Sequence, residues 1–226
     1  MPTAPSRDSS DAAGEAYYRE NYGDYERQAS PGKLEFYIRL VARWIAPGSR
    51  VFELGVGQGN FLARAATTYA VEGVDTNAYG VEQAQRRVPG ATLRVGSYEQ
   101  LAVARRPDAV VAWDVLEHLP DLDDGLAAIG QALRPGGMLV AVVPVYDGPL
   151  GPLVRVLDRD PTHVSKLGRG DWLDRLSRHG FEVVEHGGIV RKLVLSRWYV
   201  HVTRPQLLLR RAGSALYFAA RKAPAP

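Results

Sequence analysis

Short apolar runs alternate along this chain with stretches whose apolar positions recur at helical spacing. Residues 51–54, 109–113 and 139–144 have the length and composition of buried strands. Between such runs, apolar residues three or four positions apart predict amphipathic helices, as in residues 61–69 and 81–88. This alternation predicts an α/β fold with a largely parallel sheet that carries helices on both faces.

The segments before and after this alternation are less regular. Residues 1–14 are dominated by Pro, Ser, Ala and Asp and are predicted to be disordered. Ser30 and Pro31 are a typical helix start, and helical periodicity then continues to Ile45 before Pro47 and Gly48 end it. Residues 145–170 lack a period and are predicted to be a long loop, and residues 188–212 an insertion. The remainder, residues 15–226, is expected to be a single domain.

A glycine-rich turn follows the first predicted strand. The sequence from Glu53 reads E-x-G-x-G-x-G, with glycines at 55, 57 and 59. Glycine in a strand-to-helix turn lets a ligand approach the backbone amides at the helix start. The next strand ends in Asp75, which is 20 residues after Gly55. At about that separation a carboxylate binds ribose hydroxyls in nucleotide-binding α/β proteins.

On these two motifs the chain resembles the class I S-adenosylmethionine-dependent methyltransferases. The resemblance implies a Rossmann-like, doubly wound sheet of seven strands, mostly parallel, with an antiparallel last strand at residues 214–221. It also implies that S-adenosylmethionine is the cofactor. The residues expected to bind it are Glu53, Gly55, Gly57, Gly59, Asp75, Thr76, Ser97, Tyr98 and Asp114. Relatives commonly have Asp where this chain has Ser97, so the adenine contact would here involve a hydroxyl.

Residues 107–121 extend the resemblance to methyltransferases of the ubiquinone-biosynthesis type. Here an apolar strand ends in a turn that carries Asp114, Glu117 and His118. Enzymes that methylate the amines of nucleic-acid bases usually have Asn/Asp-Pro-Pro-aromatic at this point, and this chain does not. The resemblance therefore favours a small-molecule acceptor over nucleic acid.

Two histidines are candidates for a general base, because imidazole titrates near neutral pH. His163 lies in the predicted long loop beside the site and is the first choice, with His118 second. An amine acceptor that arrives neutral would need neither. Tyrosines that would line the acceptor site or a lid are Tyr18, Tyr22, Tyr25 and Tyr146, with residues 15–46 forming a helical lid; packing of an N-terminal helix on the domain is the alternative.

Charge and composition limit which partners, metal sites and cellular locations are expected. The net charge of +3 on 226 residues does not by itself indicate a nucleic-acid partner, but residues from 191 onward carry eight basic side chains and no acidic one. The basic insertion is expected to be either a packed helical appendage or a surface that contacts a membrane or an anion. With no cysteine there is no disulfide and no thiolate metal site, and no metal is predicted. No apolar leader or spanning run is present, which predicts a soluble, cytoplasmic protein.

The methyl acceptor, the choice between O-, N- and C-methylation, and the oligomeric state stay open. Alternatives to a small-molecule methyltransferase are a regulatory protein that binds the cofactor without catalysis, a methyltransferase acting on RNA or protein, and, more remotely, an aminopropyl transferase. The Ala- and Arg-rich composition is typical of a high-GC bacterium, where a secondary metabolite is one candidate acceptor.

Overall fold

The computed structural model describes residues 29–101, 105–158, 160, 162–194, 198–204 and 206–223. The strands are β1 (Arg50–Leu54), β2 (Ala70–Asp75), β3 (Thr92–Val95), β4 (Ala109–Trp113), β5 (Met138–Pro144), β6 (Phe181–Val194), β7 (Trp198–Val202) and β8 (Ala215–Lys222). The α-helices are α1 (Pro31–Ala42), α2 (Asn60–Ala65), α3 (Ala78–Arg87), α4 (Leu122–Ala132), α5 (Gly151–Leu157), α6 (Arg169–Arg178) and α7 (Gln206–Ala212). Short 3₁₀ turns occupy Tyr98–Leu101 and Leu116–His118.

Within the described residues, one sheet joins all of these strands in the order β3-β2-β1-β4-β5-β8-β6-β7. Strands β3, β2, β1, β4 and β5 run parallel. The chain moves outward from β1 to β3 and then returns to β4 on the other side of β1. This reversal of strand order opens a crevice outside the carboxyl ends of β1 and β4, which is where open α/β sheets bind ligands.

Two hydrophobic layers cover the sheet. Helices α1, α2 and α3 pack on one face through residues such as Tyr37, Leu62 and Ala84. Helices α4 and α6 pack on the other through Leu126 and Trp172. Strand β5 is buried along its whole length, as its continuous apolar sequence requires between two layers.

The Rossmann-like class and the antiparallel last strand are confirmed, and the count differs from the predicted seven by one strand. Strand β8 lies antiparallel between β5 and β6, and β7 pairs with the extended end of β6. Residues 188–212 are thus not a helical appendage: they complete β6 and form β7 and α7. Charged residues at 191, 192 and 197 interrupt the apolar run, and this hid the strand pattern from sequence analysis.

The predicted loop at 145–170 also differs from the structure, since it contains α5. Pro152 stands in the first turn of this helix, where its fixed φ is favourable. Leu153, Val156 and Leu157 are exposed, so α5 has no core-facing stripe from which a period could be recognised. No helix in the described segments is long and apolar enough to cross a bilayer. The predicted disordered terminus and the lid tyrosines Tyr18, Tyr22 and Tyr25 lie outside the described residues.

Candidate active site

The glycine-rich turn after β1 has a backbone that side chains would not tolerate. Gly55, Gly57 and Gly59 have φ of +80°, +51° and +80°, in the left-handed region. A Cβ on Gly55 would lie 2.3 Å from Cγ2 of Val115, and one on Gly59 would lie 2.9 Å from Cα of Ala84. The turn therefore fits closely against the segment after β4 and against α3.

Asp75 is joined directly to this turn. Its Oδ2 accepts the N–H of Gly57 at 2.8 Å, and its Oδ1 accepts the N–H of Asn77 at 2.8 Å. Burial raises the pKa of Asp75, and these two hydrogen bonds partly oppose that rise. Each carboxylate oxygen keeps a further lone pair, so the group can still accept the two hydroxyls of a ribose.

Two buried polar side chains flank the turn, one before it and one after it, and each has an atom without a partner within the described residues. Oε2 of Glu53 and Nδ2 of Asn60 make no hydrogen bond there, although Glu53 is 3% exposed and Asn60 8%. Burial, and then the negative charge of Asp75, raise the pKa of Glu53 well above its ordinary value. A ligand that carries both an ammonium and a carboxylate group has the chemistry to pair with both side chains.

A cleft of about 990 Å³ joins these groups to the end of β4. The predicted site residues that line it are Glu53, Gly55, Gly57, Asp75, Thr76, Ser97, Asp114, His118 and His163. Gly59, Tyr98 and Tyr146 do not line it. The ring of Tyr98, the first residue of the 3₁₀ turn, packs on the face of the sheet that α4 covers, close to Gly125. Tyr146 is buried and places its hydroxyl on Asp158.

Helix α1 lies within the predicted lid at 15–46 and forms one wall of the cleft, through Lys33 and Tyr37, which sequence analysis did not name. The ring of Tyr37 stacks on Trp113 at 4.1 Å between centroids and 6° between planes. Nζ of Lys33 lies 3.8 Å from Oδ2 of Asp114, a residue that adopts a left-handed φ of +60°. Tyr37 has the helical spacing of a core residue, so its position in the sequence did not indicate that it lines the cleft. The signal that was available is Trp113, a large aromatic at the carboxyl end of a central strand.

The two candidate bases lie side by side. The ring centroids of His118 and His163 are 4.6 Å apart. Nδ1 of His118 lies 2.9 Å from Oγ1 of Thr162. Burial lowers the pKa of His118, and the neighbouring His163 lowers it further. Glu117, His118 and His163 each bring one ligand-capable atom to within 4.8 Å of the others, a cluster that the sequence did not predict.

Comparison with known proteins agrees with this geometry. The family profile described as a methyltransferase domain matches residues 25–186. Trans-aconitate 2-methyltransferase of Methylobacterium nodulans is 31% identical over 57% of this chain and 52% of that protein. A ubiquinone biosynthesis O-methyltransferase of Mesorhizobium japonicum is 28% identical over 67% of each. The chain thus spans about half the length of the first of these relatives.

Solved structures show the same fold. A methyltransferase from Haloferax volcanii, solved in complex with an activator protein, superposes with a TM-score of 0.71 at 17% identity over 98% of this chain and 100% of that chain. A geranyl diphosphate methyltransferase in complex with S-adenosylmethionine gives 0.62 at 19% identity over 85% of each. The profile covers more than half of the sequence, and the chain therefore belongs to the methyltransferase domain family, in the S-adenosylmethionine-dependent class I group.

Proposed function

We propose that this protein transfers a methyl group from S-adenosylmethionine to an oxygen or nitrogen atom of a small molecule. The observation that carries the proposal is the link between Asp75 and the amide of Gly57 at 2.8 Å, beside the unpartnered Glu53 oxygen. It supports the proposal because a carboxylate suited to ribose hydroxyls, a glycine turn and a carboxyl suited to an ammonium group lie in one cleft.

Each end of the donor has a matching group in this cleft. Asp75 would hold the ribose, and Glu53 and Asn60 the amino-acid end. Ser97, with Thr76 beside it, would face the adenine. When bound, the donor supplies a methyl group on a positively charged sulfur, which an electron-rich acceptor atom can attack.

Positioning is the main contribution of the protein to such a reaction. Holding an acceptor in line with the reacting group can contribute about 7 to 11 kcal/mol without covalent catalysis. The wall of Tyr37 and Trp113 offers flat apolar surface for that purpose, next to the polar groups of Asp114 and His118. His163, with His118 as second choice, is the candidate to accept a proton there.

Two observations favour a small acceptor. The cleft is lined by segments that lie close together, and its volume of about 990 Å³ suits a cofactor and one further small molecule. The relatives named trans-aconitate 2-methyltransferase and ubiquinone biosynthesis O-methyltransferase are named for small molecules.

The test is a transfer assay with a radiolabelled methyl group on the donor and a bacterial metabolite extract as acceptor source. We expect label in a compound of low molecular mass, and at a donor concentration below its Kd at least about tenfold less of it when Asp75→Ala replaces the wild type. Label found only in protein or RNA would contradict the small-molecule proposal. Donor binding without transfer to any fraction would indicate a binding protein instead.

A further inference from the structure

Asp158 lies behind His163 and is held as a carboxylate. Its Oδ2 is 2.9 Å from Nδ1 of His163 and 3.1 Å from Nζ of Lys166, and it accepts the hydroxyl of Tyr146. Its Oδ1 accepts the N–H of Asp160 at 3.2 Å. Burial would raise the pKa of Asp158, but the hydrogen bonds from Tyr146, His163 and Lys166 outweigh it and lower the pKa well below its ordinary value.

An ionised carboxylate can only accept hydrogen bonds, so its 2.9 Å contact requires a proton on Nδ1 of His163. The hydroxyl of Tyr146 lies 3.1 Å from the same nitrogen, but it donates its proton to Asp158. A neutral imidazole protonated on Nδ1 has its lone pair on Nε2. Nε2 lies 3.8 Å from Oδ2 of Asp160, beyond hydrogen-bond distance, and the ring lines the cleft. Nε2 is therefore the ring nitrogen of His163 that can accept a proton.

We propose that Asp158 is a positioning residue that fixes His163 in the Nδ1–H tautomer, so that Nε2 takes the proton of a hydroxyl acceptor. This inference rests on the proposed function. As the acceptor oxygen bonds to the methyl carbon, the carbon–sulfur bond breaks and its electron pair stays on sulfur. The hydroxyl proton passes to Nε2, and Asp158 keeps its charge and stabilises the imidazolium.

The charges around His163 favour a hydroxyl over the other acceptors. Asp114, Glu117 and Asp160 line the cleft, and among its described lining residues Lys33 is the one Lys or Arg. Such an acidic surface repels a carboxylate acceptor. A hydroxyl is neutral, and it is the acceptor that gains from a base during attack.

The first test needs no acceptor. Nitrogen-15 NMR of histidine-labelled wild-type protein reports which ring nitrogen of His163 is protonated, with His163→Gln used for assignment. We expect protonated Nδ1 and unprotonated Nε2. Asp158→Ala should populate the Nε2–H tautomer, and Asp158→Asn, whose amide oxygen can still accept, should restore much of the wild-type pattern.

A matched control is available in the same fold. Asp123 Oδ1 lies 2.9 Å from Nε2 of His179, a second acid–histidine pair on the surface. Asp123→Ala should change the His179 signals and leave those of His163 as they are. An Nε2–H tautomer of His163 in the wild type, or no response to Asp158→Ala, would overturn the proposal.

The chemistry supplies a second test. Labelled products of the wild type should be base-stable ethers, and Asp158→Ala should reduce their formation at least about tenfold, within the range of general-base effects, while donor affinity stays the same. A labelled methyl ester or N-methyl amine would overturn the hydroxyl assignment. Stoichiometric binding of Zn²⁺ or Mg²⁺ that His163→Ala abolishes would also overturn it, because the metal would occupy Nε2. Failure of the wild type to bind the donor contradicts the proposed function, and the tautomer measurement still decides the role of Asp158.

Discussion

At the scale of single residues, Glu53 is a buried carboxyl that is unfavourable to folding until a cation reaches it. The pKa of Glu53 is raised in the folded protein, so the folded state holds this proton more tightly than the unfolded state does. The stability that the protonated carboxyl contributes is fully present below the ordinary pKa of 4.5 and is lost as pH rises through the raised pKa. We expect Glu53→Gln to match the wild type in stability near pH 4 and to exceed it by about 1–2 kcal/mol at alkaline pH. Chemical denaturation at the two pH values measures this, and an equally or less stable variant at alkaline pH would contradict it.

The same carboxyl couples donor binding to a proton. An ammonium group beside Glu53 favours its charged form and lowers the pKa that burial had raised. Donor binding at a pH between the two values should therefore release protons, which calorimetry in buffers of different ionisation enthalpy detects. Glu53→Gln should abolish that release and weaken binding by about 10- to 100-fold, the value of a charge-assisted hydrogen bond. Proton release that persists in the variant would remove Glu53 from the donor site.

Gly55 allows a second comparison at this scale. Gly55 and Gly48 have nearly equal φ, +80° and +81°, but a Cβ overlaps Val115 at Gly55 and meets nothing within 4 Å at Gly48. Alanine at either position should cost about 1–2 kcal/mol of stability from backbone strain. Gly55→Ala should in addition lose donor binding, whereas Gly48→Ala should keep wild-type affinity at a temperature where both variants are folded. Equal affinities would show that the turn does not position the donor.

At the scale of elements, the close contact between β6 and α7 holds the end of the sheet in place. A Cβ on Gly188 would lie 1.7 Å from the carbonyl oxygen of Leu209, so α7 can pack on β6 only over a glycine. Gly188→Ala should lower the free energy of unfolding by about 1–3 kcal/mol, the range for overpacking. Gly170→Ala is the control, since it has open space in α6 and should stabilise the protein by about 0.5–1 kcal/mol. A Gly188→Ala variant as stable as the wild type would mean that α7 does not pack as described.

Elements also show what the sequence could and could not predict. The central strands β4 and β5 followed from apolar runs, because strands buried on both faces have unbroken apolar sequences. Strand β3, Thr-Leu-Arg-Val, is partly exposed and has no such run. Strand β7 and helix α5 were missed, since charged or exposed residues erased their periods. The motif residues Glu53 and Asp75 were identified by spacing along the chain. Asp158 and Tyr37 were not, because their roles depend on contacts between distant segments.

At the scale of the whole molecule, a donor that binds only the folded state must stabilise all of it. At about 100 times its Kd the gain is about 2.7 kcal/mol, and for a chain of this size each kcal/mol raises Tm by about 2–4 °C. We therefore expect a rise of about 5–11 °C in a thermal melt with saturating S-adenosylmethionine. The demethylated product should give a comparable rise, while adenosine triphosphate should give none because it lacks the ammonium group that would pair with Glu53, and the Asp75 carboxylate repels its phosphates. No rise with the donor, or an equal rise with the triphosphate, would contradict the assignment.

The central claim is that Asp75 and the glycine turn hold the donor, and calorimetric titration with S-adenosylmethionine tests it most directly. Glu82→Ala is the matched control, because it removes an acid whose side chain is 51% exposed on α3. We predict one donor bound per chain in the wild type and in Glu82→Ala, and at least about a tenfold loss of affinity in Asp75→Ala, since a hydrogen-bonded charge contributes about 1.5–3 kcal/mol. Wild-type affinity in Asp75→Ala, or no binding to the wild type, would contradict the account.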